Sequence, residues 1–298
     1  MVKEISMRLS IVTINYNNAD GLCKTLASVA VQTYRDIEHV IVDAASSDGS
    51  VDVIKEYVDS ATYPVIWSSE KDKGIYDGMN KGIKRATGDY IQILNSGDIL
   101  ASPDVTARMI NALSTFNIQH STENSIGILY GNMIRDFGNG KYSKDVCLGD
   151  RAKSREVRAQ EVEWTMDDFI KGTVNHDPTY IHRSLYEKYG LYDENLKICS
   201  DWKWFVNAVV FGGEKLYYVP IDVTIFDTTG ISETNLEFRE KERHAELEKM
   251  LPAAILKDYD RYHFPISQYK RLRKYHLWGL VYFMERVLFK LEKWRVSR

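Results

Sequence analysis

Residues 9–18 read Leu-Ser-Ile-Val-Thr-Ile-Asn-Tyr-Asn-Asn. The run from Leu9 to Ile14 is uncharged and, Ser10 apart, apolar or β-branched; it is too short for a core helix, and it stops at Asn15-Tyr16-Asn17-Asn18. This is the pattern of a buried strand that delivers polar groups at its carboxyl end. The design recurs downstream. His39-Val40-Ile41-Val42 runs into Asp43-Ala44-Ala45-Ser46-Ser47-Asp48-Gly49-Ser50, and Tyr90 to Leu94 runs into Asn95-Ser96-Gly97-Asp98. Helical patterns lie between: Leu22, Leu26 and Val29 on one face, Val51 to Val58 behind a Ser47 or Ser50 cap, and Ile75 to Ala86 closed by Gly88. Val65-Ile66-Trp67 is a further strand, and Ser102-Pro103-Asp104 announces the next helix as cap, first residue and acidic first turn. Strands alternating with helices predict an α/β fold with a mostly parallel central sheet flanked by helices. In such sheets ligands bind beyond the carboxyl ends of the strands, where the polar residues gather.

The rest of the chain is less regular. It offers a strand at Ile128-Leu129-Tyr130, a turn at Gly138-Asn139-Gly140 and a charged stretch from Lys144 to Glu163 with no assignable element. Helical patterns at Ser184–Tyr189 and Asp201–Phe211, a strand at Lys215–Val219 and a charged helix at Asn235–Met250 follow. The expected organisation is one domain over 1–230, in two halves at 1–100 and 101–230, and a helical extension over 231–298.

Composition narrows the function classes. With 298 residues, 44% hydrophobic, 27% charged and only 6 Pro, the chain is neither disordered nor collagenous. A formal charge of -3 provides no positive field for a nucleic-acid backbone. Cys23, Cys147 and Cys199 form no C-x-x-C pair, which argues against a disulfide framework or zinc site and for a cytoplasmic location. Met1 to Arg8 lacks an apolar signal core, and the longest apolar run, Leu277 to Met284, is far short of the roughly 20 residues that span a bilayer. The charge is nevertheless uneven. Lys257 to Arg298 carries eleven Lys/Arg and four acids, a +7 tail on a -10 body. Within it Leu280, Phe283, Met284, Val287, Leu291 and Trp294 fall on one helical stripe opposite Arg271, Lys274, Arg286, Lys290 and Lys293. That pattern suits a peripheral membrane contact through 269–298, at the inner face of the plasma membrane; a helix packed on the domain, or a homodimer contact, suits it as well.

Three strand ends that converge amides, hydroxyls and carboxylates are the equipment for a nucleotide diphosphate and a hard divalent cation. A carboxylate beyond a strand can accept from a ring N–H or a ribose hydroxyl, and a second can hold the metal. Neither G-x-G-x-x-G after the first strand nor G-x-x-x-x-G-K-[ST] is present, so dinucleotide oxidoreductases and P-loop ATPases recede.

Four stretches, SIVTINYNNADGLCKTLASVAVQTY (10–34), EHVIVDAASSDGS (38–50), SSEKDKGIYDGMNKGIKRATGDYIQILNSGD (68–98) and NHDPTYIHRSLYEKYGLYDENLKICSDWKWF (175–205), resemble the inverting glycosyltransferases of family 2, with the GT-A Rossmann-like fold. The likeness is greatest to the branch serving colanic-acid and other bacterial surface polysaccharides. It implies transfer of a hexose or N-acetylhexosamine from a nucleotide-sugar, a UDP-sugar above all, to a carbohydrate or lipid-linked oligosaccharide acceptor, with Mn2+ or Mg2+. By the same resemblance Thr13, Asn15 and Tyr16 line the base pocket with Ser46 alongside, and Asp43 binds uracil or ribose. Asp98 holds the metal, with Asn95 and His176 as further ligand candidates, and Asp201 is the base that deprotonates the acceptor. Gly74 and Asn80 lie at the nucleotide-sugar, and Lys73 or Lys81 supplies positive charge to the diphosphate because Met79 replaces the usual Arg. The apolar setting of Asp201 is expected to raise its pKa, and Trp202 and Trp204, which alternate, are expected to present one ring to the acceptor sugar. Two departures stand out: Ala44 replaces a second Asp, and Asn95-Ser96-Gly97-Asp98 replaces D-x-D-D. They favour, as alternatives, a non-catalytic nucleotide-sugar-binding protein with a degenerate metal site and, more remotely, a nucleotidyltransferase.

Overall fold

The computed structural model describes residues 7–120, 126–138, 140–145, 158–259, 261, 279, 283, 286 and 287. Strand β1 (Leu9–Asn15) lies between β2 (Ile37–Asp43) and β4 (Tyr90–Ile93), parallel to both, and β3 (Val65–Ser69) adds outside β2. Asn15 is in register with Asp43 and Asp43 with Ser69, so the polar strand ends form one row. Helices α1 (Ala19–Ala30), α2 (Ser50–Ser60) and α3 (Ile75–Arg85) return the chain between these strands. Each buries an apolar stripe; Leu22, Leu26 and Val29 of α1 join Leu9, Ile11 and Ile41 of the sheet in one core. Full burial of each such side chain contributes about 1.5–3 kcal/mol. Helix α3 runs especially close to β1, because a Cβ at Gly82 would overlap Val12 Cγ1.

Beyond β4 the sheet is mixed. Strand β9 (Thr179–His182) runs antiparallel between β4 and β6 (Ile128–Asp136); then come β10 (Leu216–Asp227), parallel to β6, and the short β5 (Ile99–Leu100). Strands β7 (Tyr142–Asp145) and β8 (Gln160–Val162) pair with β6 and β10. Because β9 is reversed, its entry rather than its exit meets the carboxyl end of β4, and Gln92 Nε2 of β4 donates to the Asp177 carbonyl at 2.7 Å. This brings His176 and Asp177 to the crevice. The remaining helices are α4 (Val105–His120), α5 (Met166–Lys171), α6 (Ser184–Tyr189), α7 (Ser200–Phe205), continued by a π-helical turn over Val206–Phe211, α8 (Ile231–Thr234) and α9 (Leu236–Met250).

The chain divides into two compact units at Glu242/Arg243, later than the boundary read from the sequence, so α8 and the first part of α9 belong with the sheet. The expected amphipathic helix over 269–298 lies outside the described residues apart from 279, 283, 286 and 287, and 146–157 of the charged stretch lie outside them too. No described helix is long and apolar enough to cross a membrane.

The β2–α2 turn holds a strained residue. Ala45 has φ 57°, in the left-handed region, where a Cβ costs about 1–2 kcal/mol. Glycine escapes that cost but loses about 0.5–1 kcal/mol of chain entropy. Ala45→Gly is therefore expected to stabilise the fold by about 0.5–1 kcal/mol, a rise of roughly 1–3 °C in melting temperature by calorimetry. A lower melting temperature would show that the turn is not under strain.

Candidate active site

The donor side is organised around Asp43, which is fully buried. Its Oδ1 accepts from Asn15 Nδ2 (2.8 Å) and Ser46 Oγ (2.6 Å), and its Oδ2 from the Ser46 N–H (3.0 Å) and Ser69 Oγ (2.6 Å). Burial alone would raise this carboxyl, but the hydroxyl and amide donors outweigh it and hold Asp43 below the usual carboxylate range. Four donors from its own strand ends fix the Asp43 carboxylate, so the expected contact with uracil or ribose falls to an already organised group. The acceptor left unpaired in this row is Asn15 Oδ1, and Tyr16 beside it is 67% exposed. Thr13 does not line the pocket. Its side chain is fully buried and shares a 2.9 Å hydrogen bond with His39, which continues to Tyr57 (2.7 Å) and Tyr63 (2.6 Å) beneath the floor. Burial pushes His39 down to about 3, so the imidazole is neutral.

At the start of α3, Gly74 has φ 137° and nothing near its missing Cβ. Of the two candidate diphosphate cations, Lys81 is tied to Asp77 (3.3 Å) and donates to the Lys71 carbonyl (3.2 Å), whereas the Lys73 side chain is 81% exposed with Glu194 as a distant partner at 3.9 Å. Asn80 departs from the expected nucleotide contact. It is buried, its Nδ2 donates to the Tyr192 carbonyl (2.9 Å) and to Glu194 Oε1 (3.1 Å), and its Oδ1 accepts from the Tyr192 N–H (3.0 Å).

Asp201 is the second residue of α7. Tyr76 OH donates to its Oδ1 at 2.9 Å, and His176 Nδ1 meets its Oδ2 at 3.2 Å. Burial raises this carboxyl, yet His176, Tyr76 and the Trp202 N–H together hold it below its ordinary value. Asp201 is thus an ionised carboxylate with directed bonds, not the pKa-raised base expected from its apolar neighbours. Burial opposes charge on His176, but Asp177 and Asp201 prevail and push it up to about 9. The imidazolium Nε2 faces the Asn95 amide at 3.1 Å and Asp177 Oδ1 at 3.3 Å. Asn95 Nδ2 is the atom placed at this nitrogen, with Asn95 Oδ1 buried and unpaired; a half-turn of the amide, which leaves its shape unchanged, brings the oxygen to a protonated Nε2. Both ring nitrogens are occupied, so His176 bridges Asp201 and the crevice floor, with Asn95 engaged at its Nε2.

Trp202 and Trp204 are both buried, contrary to the expectation that one faces the acceptor. Trp202 Nε1 donates to the Phe169 carbonyl on α5 (2.7 Å), and Trp204 Nε1 donates to the Gly190 carbonyl just beyond α6 (2.8 Å) while stacking on Tyr186 at 5.0 Å. A helix covered on two faces buries residues that alternate in sequence.

Asp98 is buried in a turn fixed by Thr25, whose hydroxyl donates to the Asp98 carbonyl (2.7 Å) and accepts the Gly97 N–H (2.9 Å). Gly97 itself needs its φ of 107°. Asp98 Oδ1 accepts the Asp227 N–H at 2.9 Å. Burial and the neighbouring Asp177 carboxylate raise Asp98 well above the usual range. Asp177 Oδ1 is buried without a hydrogen-bond partner; its His176 contact falls short of hydrogen-bond geometry. Two adjacent buried carboxylates with an unpaired oxygen fit a hard cation that draws its other ligands from water and diphosphate. Among the described residues no group of three or more His, Cys, Asp or Glu comes together for a metal. Tyr76, Asp177 and Asp227, absent from the sequence reading, thus belong to the site, and the Asp177-Pro178 pair ahead of a strand was the available signal.

Residues 10–125 match the family model described as glycosyl transferase family 2. An uncharacterized glycosyltransferase of Mycobacterium tuberculosis is 30% identical over 255 residues, covering 82% of this chain and 85% of the relative. The chain belongs to glycosyl transferase family 2. Another relative of this glycosyltransferase, the PGL/p-HBAD biosynthesis glycosyltransferase of Mycobacterium bovis, is 27% identical over 67% of this chain and 68% of its own. Among solved structures, S. aureus TarS 1-349 in complex with UDP aligns with TM-score 0.57 at 17% identity over 89% of this chain and 74% of its own. The mannosyltransferase PcManGT from Pyrobaculum calidifontis, in complex with GDP-Man and Mn2+, aligns with TM-score 0.55 at 16% identity over 75% of this chain and 57% of its own. The fold is GT-A.

The His176–Asp201 pair sets a pH dependence for this glycosyltransferase. The folded value of His176, about 9, exceeds its ordinary 6.5, so its contribution is complete below about pH 6.5 and is lost as pH rises through 9; Asp201, held low, loses its share only in acid. His176→Gln leaves a buried carboxylate without its cation and is expected to cost about 3–5 kcal/mol near neutral pH. The gap in melting temperature between parent and variant narrows from pH 6.5 to 10, and a constant gap would contradict the charged assignment.

Proposed function

We propose that the chain is an inverting transferase that moves a sugar from a UDP-sugar to a hydroxyl of a growing, lipid-linked bacterial surface polysaccharide at the cytoplasmic face of the membrane. The observation that carries the reading is the Asp201 carboxylate, ionised and clamped by Tyr76 and His176 across from the donor strand ends. The UDP and UDP-GlcNAc complexes of TarS support a nucleotide-sugar donor, and the GDP-Man and Mn2+ complex of PcManGT supports a metal. The basic amphipathic pattern of 269–298 supports a lipid-linked acceptor.

In this reading the acceptor hydroxyl gives its proton to Asp201 as its oxygen bonds to the anomeric carbon from the face opposite the diphosphate. The bond from that carbon to the diphosphate oxygen breaks, and UDP leaves with the electron pair. Asn15 Oδ1 offers an acceptor to the base and Lys73 swings to the diphosphate. Asp98 and Asp177 would hold Mn2+ or Mg2+, which offsets charge on the leaving group. His176 keeps Asp201 oriented through Nδ1, so the base needs no pKa rise to stay in place.

Ala44 and Asn95, which stand where the family pattern carries Asp, favour a second reading, a nucleotide-sugar-binding protein without turnover. Calorimetry with UDP, with and without Mn2+, and a UDP-release assay over a panel of nucleotide-sugars separate the two. The transferase reading expects tighter UDP binding with Mn2+, UDP rather than pyrophosphate as product, and a loss of about 10²–10⁴ in turnover for Asp201→Asn. Metal-indifferent binding with no release from any donor favours the binder, and Asp201→Asn turnover within threefold of the parent removes Asp201 from the role of base.

A further inference from the structure

Glu242 lies on α9, after the last strand, yet its side chain reaches the segment that leads into α7. Its Oε1 accepts the Lys197 N–H at 2.6 Å, and its Oε2 accepts the Ile198 N–H at 2.8 Å, the Cys199 N–H at 3.0 Å and the Cys199 thiol at 3.0 Å. Three consecutive backbone donors therefore converge on one carboxylate, an anion nest that the chain fills from its own α9. Burial raises Glu242, but these four donors outweigh it and hold the carboxylate ionised.

The Ile198 peptide links this nest to the base. The peptide group joining Ile198 to Cys199 carries both contacts: its N–H, that of Cys199, is held by Glu242 at 3.0 Å, and its carbonyl, that of Ile198, accepts Tyr76 OH at 2.6 Å. The same hydroxyl lies 2.9 Å from Asp201 Oδ1. Tyr76 has one proton for two acceptors, so the position of the Ile198 carbonyl sets how much of that hydrogen bond reaches Asp201. Cys199, the residue before α7, is fixed by the same carboxylate, and Asp201 follows two residues later.

We propose that Glu242 is a positioning residue for Asp201, the α9 carboxylate that fixes the Ile198 peptide and the start of α7 so that Tyr76 and His176 meet the base in its working orientation. The proposal rests on the reading of Asp201 as the base. No motif announces Glu242, because its role depends on backbone donors some forty residues earlier in the chain.

The test compares the full-length parent with Glu242→Gln and Glu242→Asp. Glutamine keeps one acceptor but adds a donor against the nest, and aspartate keeps the charge with a shorter reach. Glu242→Gln is expected to lower the turnover of UDP release by about tenfold to a hundredfold, as misplacement of a reacting group does. The donor KM and the Kd for UDP with Mn2+ stay within threefold. Hydrogen exchange rises at residues 197–205 and not in β1 to β4, and Glu242→Asp falls between parent and Gln in both turnover and exchange. Turnover and exchange equal to the parent, or exchange rising throughout the sheet together with weakened UDP binding, would overturn the proposal. The exchange arm needs no turnover: a parent inactive on every donor sinks the transferase reading, while exchange at 197–205 still decides whether Glu242 holds α7.

Discussion

A carboxylate taken out of water has to be met at both oxygens, and the placement of Asp201 obeys that constraint from two directions. Tyr76 comes from α3, the helix that packs so closely on β1 that only glycine fits at position 82. His176 comes from the entry of β9. Had β9 run parallel to β4, this entry would lie at the opposite edge of the sheet, and Asp201 would face the full cost of an uncompensated buried charge, about 3–5 kcal/mol. The reversal of one four-residue strand is therefore a requirement of the site and not an irregularity of the fold.

The same network explains the electrostatics of the crevice floor. His176 sits among three carboxyl groups, of which Asp98 and Asp177 are buried and Asp201 nearly so: it touches Asp177 and Asp201, and Asp98 sits against Asp177. The raised Asp98 carboxyl is the response to that crowding, since a proton on it removes one of the competing charges. The missing Asp at positions 44 and 95 matters less in that light, since Asp177 enters from a distant part of the chain.

The first half of the fold was legible because each strand is built on a short apolar stretch that ends abruptly in polar residues; β1, β2, β3 and β4 all lie where that pattern places them. Asp201 at the opening of a helix was legible for a related reason. Strand β9 was not, because four residues carry too little periodicity and the neighbours that pair with it are up to ninety residues away. Side-chain destinations were harder still. Thr13, Asp43 and Asn80 sit on the expected elements, but their polar atoms face His39, a ring of Ser and Asn donors, and the Tyr192 backbone. Spacing records which element a residue belongs to, whereas the partner that occupies its hydrogen bonds is a property of the packed whole. Trp202 and Trp204 teach the same lesson, since alternation implies an exposed ring only when a helix has an uncovered face.

The Asn80–Tyr192 contact has an evolutionary consequence. The asparagine amide grips both the N–H and the carbonyl of one residue, as a neighbouring strand would, and so ties α3 to the segment ahead of α7 without using the Tyr192 side chain. Substitutions at position 192 leave the grip intact, while an insertion or deletion between Gly190 and Asp201 moves the gripped peptide away. Recombination that joins α3 of this chain to a relative's 190–201 segment can therefore tolerate very different side chains, provided the spacing of that segment is inherited unchanged.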